Sequence, residues 1–184
     1  MRVSKIQLWV ALAAIALLIV AAPASHAQTL NSGAQPITLN GTLTESLTIS
    51  LSSSAVNFTL LPNPTPANGS GPVNVTTTWV LAGTHASLSL YAYFASATAM
   101  NSGGNLIPTA NFYGAINAGA FSPFTGGASP FGSAANSKTI FTIAPLTGAF
   151  NGTRTDALTF QVITPAGAPA GTYTGTLNIQ AQAL

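Results

Sequence analysis

Hydrophobic and polar residues alternate along most of this chain from Ile37 onward, and that period of two predicts strands. The longest run is "ITLNGTLTESLTISLS", Ile37 to Ser52. Its odd positions are Ile37, Leu39, Gly41, Leu43, Glu45, Leu47, Ile49 and Leu51; its even positions are Thr, Asn and Ser. One face is apolar and the other hydroxylated, as a half-buried strand requires. Glu45 breaks the apolar face. A buried unpaired carboxylate is costly, so a bulge, a bend or an exposed edge is expected near Thr44 to Ser46.

The same alternation predicts further strands in "AVNFTL", "VNVTTTWVLAG" and "ASLSLYAYFAS". The last two flank the short Gly-containing turn "GTH" and read as a hairpin. "ATAMNSGGN" reads as a connection. "LIPTANFYGAIN" is a strand interrupted at Pro108, hence an edge strand. "KTIFTIAPL" and "DALTFQVIT" are two more, with "NGTRTD" as the turn between them. The closing strand "GTYTGTLNIQAQAL" should turn Tyr173, Leu177 and Ile179 inward. "LPNPTPANGSGP" and the Gly/Ser/Pro/Phe-rich stretch Ala118 to Ser137 read as loops. Together these predict an all-β fold, an antiparallel immunoglobulin-like β-sandwich of about eight strands.

Residues 1–27 stand apart. Arg2 and Lys5 precede an uncharged, largely apolar run from Ile6 to Ala22, and Ser25 and Ala27 are small at the exit. That order is a secretory signal peptide, with cleavage after Ala27 and a single domain over residues 28–184. It predicts a secreted chain: periplasmic, extracellular or on the cell surface. No later segment is apolar enough to span a bilayer.

Charge then looks different. The whole sequence has a net charge of +2. Past Ala27 the charged residues are Lys138 and Arg154 against Glu45 and Asp156, which cancel. No basic patch for nucleic acid is present, since phosphate binding takes several placed cations. With no cysteine, the fold must rest on burial and hydrogen bonds. A surface of Thr, Ser, Asn and Gln lacks the charge that blunts exposed strand edges, which points to an assembling or surface-bound protein.

Catalysis and metal binding need clustered titratable groups. After residue 27 the chain offers one histidine, His85, two acids and no thiol, and no Gly-x-Ser-x-Gly elbow. A non-enzymatic protein without a cofactor is expected. His85 reads as a solvated turn residue, and Arg154 with Asp156 as a surface ion pair. Asn-x-Ser/Thr sequons at Asn40, Asn57, Asn68, Asn74 and Asn151 follow from composition.

Two sets of residues are candidates for function. Phe121, Phe124, Phe131 and Tyr113, in or near the long loop, could form an aromatic surface for polysaccharide. The alternative is that they fill the end of the core and pin the loop. Ile37, Leu39 and Leu43, within Thr29 to Leu43, could be a strand-exchange segment that pairs with the sheet of another copy or another surface protein. The alternative is the ordinary first strand of their own domain.

"PAGTYTGTLNIQAQAL" resembles the closing strand of the secreted spore coat protein U and pilin-like group, where a Pro-Ala-Gly turn precedes a Tyr-containing last strand. "VNVTTTWVL", "SLSLYAYFASA" and "GTYTGTLNIQAQ" together also resemble a set of uncharacterised secreted β-sandwich proteins of acidobacterial-type soil bacteria. The resemblance implies a structural or adhesive surface subunit, and no functional residue is carried over. Many members of the coat and pilin group have a cysteine pair, which this chain lacks.

Overall fold

The computed structural model describes residues 32–127 and 129–184. The predicted signal peptide lies outside them. The chain divides into two units, Met1–Gly41 and Thr42–Leu184. In the first, the described residues from Ser32 onward form no strand and are exposed.

The second unit is the all-β antiparallel sandwich that the alternation predicts. Its strands are β1 (Ser46–Leu51), β2 (Ala67–Asn68), β3 (Val73–Val80), β4 (Leu88–Tyr93), β5 (Thr98–Ser102) and β6 (Asn105–Pro108). They continue with β7 (Phe112–Ile116), β8 (Ser122–Pro123), β9 (Ser137–Ile143), β10 (Asn151–Val162) and β11 (Asn178–Ala183). One sheet runs β1-β3-β10-β7-β8, with β2 paired to β10 beyond the end of β3. The other runs β11-β4-β9, and β5 with β6 forms a separate hairpin. Among the described residues the only helical pieces are two 3-10 turns, Thr109–Asn111 and Ala134–Asn136.

The core lies between the sheets. Val75, Trp79, Leu158 and Val162 face Leu88, Leu90 and Phe141 across it, all buried. Phe94, Phe112 and Phe124 meet edge to face, at centroid distances of 5.2 to 5.6 Å, and close one end. Gly114 on β7 makes room, because a Cβ there would lie 2.8 Å from the Phe124 ring.

Several elements differ from the sequence expectation. β3 and β4 are not a hairpin: β3 pairs with β1 and β10, while β4 pairs with β11 and β9. The connection Leu81–Ser87 is too long for a tight hairpin turn, and it carries the chain from one sheet to the other. "NGTRTD" is not a turn but the start of β10, paired Asn151 to Val80. Gly152 is there because the Trp79 ring lies on it; a Cβ would come within 2.7 Å of that ring. "ATAMNSGGN" is not a plain connection. It supplies β5 and a two-residue turn at Gly103 and Gly104, both with positive φ (+54° and +93°), as a tight hairpin demands. Pro108 does interrupt its segment, but β7 beyond it lies inside the sheet between β10 and β8.

β1 begins at Ser46, directly after Glu45, so the irregularity expected at 44–46 is the strand's start. Residues 37–45 join no strand. The reason lies in β3, whose last paired residue is Val80 opposite Ser46. Beyond it the chain turns at Gly83 and Thr84, and among the described residues the β1–β3 ladder does not extend past Ser46 toward Leu43.

Candidate functional site

Ile37, Leu39 and Leu43 are 83%, 90% and 81% exposed. Their spacing of two and four residues puts them on one face when the chain is extended. Three large apolar side chains exposed on one face make this segment a candidate for docking on an apolar surface.

The sandwich unit has such a surface. Among the described residues β1 and β11 are each the outermost strand of their sheet, so each has one edge without a strand partner. Between them opens a cleft of about 390 Å³. Its floor is core: Val73, Leu158 and Phe160. Its rim is Leu51 and Val56 on one side and Leu177 and Ile179 on the other. Leu51 is 45% exposed, and the other three rim residues are half-buried. Flanking the cleft, Ser53–Val56 and Gly175–Leu177 lie outside the paired strands. Leu51, Val56 and Leu177 were legible in the sequence as alternating apolar residues; what was not legible is that they line an open cleft and are only partly covered.

The four aromatic candidates do not share a surface. Phe124 is 1% exposed, inside the core. Phe131 packs against Tyr91 and Tyr93, stacking on Tyr93 at 5.8 Å and pinning the long loop. Tyr113 sits on β7 opposite Pro123, and Phe121 alone is well exposed, at 40%.

Among the described residues the charged side chains are all engaged. Arg154 and Asp156 follow one another on the inner face of β10, opposite Thr77 and Val75. Asp156 is buried, so this is not the surface pair expected from the sequence. Arg154 donates to both its oxygens at 2.8 Å, and Asn117 Nδ2 donates at 2.7 Å. Burial alone would raise the Asp156 carboxyl; those hydrogen bonds and the Arg154 charge outweigh it and hold the group below its ordinary value. The guanidinium lies over the Phe141 ring, 4.5 Å from its centroid. Asn117 takes a positive φ of 49° and returns its own Oδ1 to the Ala157 N–H. Sequence reasoning missed Asn117, which carried no signal beyond Asn's tolerance of that conformation. Lys138 reaches from β9 to Ser122 of the facing sheet and lies beside Phe124, and burial pushes its ammonium below the ordinary value. Glu45 accepts from the Ala82 N–H and contacts His85 Nε2 at 3.0 Å.

Among the described residues no helix is long and apolar enough to cross a membrane. A scan against protein-family models finds no match, and a comparison with curated proteins finds none either.

Proposed function

We propose that this is a non-enzymatic secreted or cell-surface structural protein, a pilin-like or coat-type subunit that associates with copies of itself or another surface protein through strand edges. One observation carries the reading. An alternating apolar segment, Ile37 to Leu43, stands exposed in a chain whose sandwich leaves an apolar cleft between two unpaired edges. Laid in that cleft as an added strand, the segment of one copy would gain main-chain hydrogen bonds from the edge and bury Ile37, Leu39 and Leu43.

The energies favour this reading only if both terms act. Burying three such side chains contributes about 1.5 to 3 kcal/mol each. Association costs about 4 to 15 kcal/mol before any surplus appears. The side chains alone therefore roughly break even, and the edge hydrogen bonds decide the affinity. The expected partner is a protein with a complementary segment or cleft. Polysaccharide binding through the long loop draws no support from placement, since Phe124 is inside the core.

The test is sedimentation velocity and negative-stain imaging of residues 28–184, with and without Thr29–Leu43. Higher-order species that vanish on deletion, with the sandwich still folded, support the reading. A protein that is monomeric both before and after deletion refutes it.

A further inference from the structure

Asparagine followed by glycine is the dipeptide most prone to deamidation, because glycine puts no side chain in the way when its nitrogen attacks the asparagine carboxamide. The chain holds three: Asn40-Gly41, Asn68-Gly69 and Asn151-Gly152. Ring closure needs a free glycine N–H and a backbone able to rotate. The structure withholds both at two of them. Asn68 ends β2, and its Oδ1 accepts from Gln161 Nε2 at 2.7 Å, while the Gly69 N–H donates to the Phe160 carbonyl at 2.9 Å. Asn151 and Gly152 are paired with Val80 and Trp79 on the β3–β10 ladder, and the Trp79 ring lies on Gly152. Asn40 and Gly41 are exposed and belong to no strand. Among the described residues no hydrogen bond engages either, and a Cβ on Gly41 would meet nothing within 4 Å.

We infer that Asn40 is a spontaneous deamidation site, set in the middle of the proposed associating segment. The Gly41 amide nitrogen gives up its proton and bonds to the Asn40 side-chain carbonyl carbon. The bond from that carbon to the side-chain nitrogen breaks, and the nitrogen leaves as ammonia. Water, the one co-reactant, then opens the cyclic imide at either of its carbonyls; nothing is oxidised or reduced. Opening at the side-chain carbonyl leaves aspartate, a new charge on the polar face. Opening at the main-chain carbonyl leaves isoaspartate, whose backbone runs through the former side chain and is one carbon longer. A strand presents alternate residues to opposite faces, so the extra carbon takes Leu43 out of phase with Ile37 and Leu39. Deamidation therefore limits how long a free subunit stays competent to associate, while a segment already paired in an assembly is held as Asn68 and Asn151 are. That consequence rests on the proposed function; the modification itself rests on exposure and hydrogen bonding alone.

The test is ageing of residues 28–184, dilute and in mildly alkaline buffer, followed by peptide mass spectrometry with isoaspartate-specific methylation and by sedimentation. Asn40 should convert at least about tenfold faster than Asn68 or Asn151, whose pairing must open first. In urea the three should react at similar rates. Gly41→Ala, which has room for its methyl group, should slow conversion at Asn40 and hold its own fresh association constant on ageing. Aged wild type should associate at least about tenfold more weakly than fresh, the loss of one buried side chain. Asn40→Asp, which has the charge without the extra carbon, should lose less. Comparable rates at the three sites in the folded chain, or a preference for Asn40 that persists in urea, overturn the modification site. Conversion at Asn40 with association unchanged overturns its link to the segment, and an Asn40→Asp loss as large as that of the aged chain overturns the argument from phase. If fresh protein does not associate, the proposed function fails instead, and the mass readout still decides the modification.

Discussion

Cutting the Arg154–Asp156 pair from its two ends should give losses that differ in size and in how strongly they depend on pH. Asp156 has a side chain 1% exposed, whereas that of Arg154 is 40% exposed. Arg154→Met keeps an apolar stem against Phe141 but leaves a buried carboxylate with Asn117 as its one remaining side-chain donor. Stranding a buried charge this way costs about 3 to 5 kcal/mol. Asp156→Asn strands the other partner, yet Arg154 can turn its exposed end to water. That loss is one of hydrogen bonds, about 1 to 3 kcal/mol.

The sign of the pH dependence follows from the carboxyl. In the wild type it is held below its ordinary value of 3.8. A depressed folded value contributes stability above the unfolded value and loses it as pH falls through the folded one. Without Arg154, burial prevails and the folded value rises above the unfolded one. The buried charge then destabilises at neutral pH, and protonation relieves it as pH falls. Urea unfolding at pH 7, 5.5 and 4 measures both effects. The deficit of Arg154→Met relative to wild type should shrink steadily toward pH 4. A deficit that stays constant, or Asp156→Asn costing as much as Arg154→Met at pH 7, would refute the reasoning.

Three further outcomes are expected. Gly175→Ala would set a Cβ 1.8 Å from the Ala99 carbonyl oxygen, so it should cost at least about 1 to 3 kcal/mol and loosen the approach to β11; an unchanged melting temperature counts against that packing. Phe124→Ala should cost about 3 to 5 kcal/mol, as a core deletion, while Phe121→Ala should stay within about 0.5 kcal/mol; loss of polysaccharide retention in Phe121→Ala alone would reopen the aromatic loop as a binding site. Ile37→Asp with Leu39→Asp should leave unfolding within about 0.5 kcal/mol and abolish association; a large stability loss would mean that the segment packs in its own domain.

Strand identity was legible wherever alternation and burial agree. β3, β4 and β11, β9 from Lys138 and β10 from Asp156 lie within runs whose apolar positions pack in or against the core, and Tyr173, Leu177 and Ile179 turn inward as expected. Pairing was not legible, because a period of two says which face is buried and nothing about the neighbour. Val56, Phe58 and Leu60 alternate correctly and pack on the core, yet they form one isolated bridge, Phe58 to Gly69. Local composition misled at two glycine-containing pairs. Asn151-Gly152 looked like a turn because the ring of Trp79, more than 70 residues earlier, is invisible in a local window. Gly103-Gly104 looked like a connection although its length of two suits a hairpin. At the candidate site, the period and Glu45's disruption of it were both readable. That the chain beyond Glu45 finds no partner depends on where β3 turns away, which is a property of topology.

Charge shows the same gap between counting and placing. Four charged side chains after residue 27 imply a nearly uncharged surface, and each of the four is engaged by a partner within the fold. Arg154 and Asp156 point inward, Lys138 is tied to Ser122, and Glu45 is spent on Ala82 and His85. The outer face of β3 and β10 is left to threonines that satisfy one another, Thr76 with Thr155 at 2.9 Å and Thr78 with Thr153 at 3.2 Å. Sandwiches that stay monomeric commonly protect their outer strands with lysine, proline or a bulge. β1 and β11 have none of these within their length; their residues are "SLTISL" and "NIQAQA", paired without a register shift. The same economy of charge leaves these two edges without a charged residue beside an apolar cleft, and the proposed association rests on that feature.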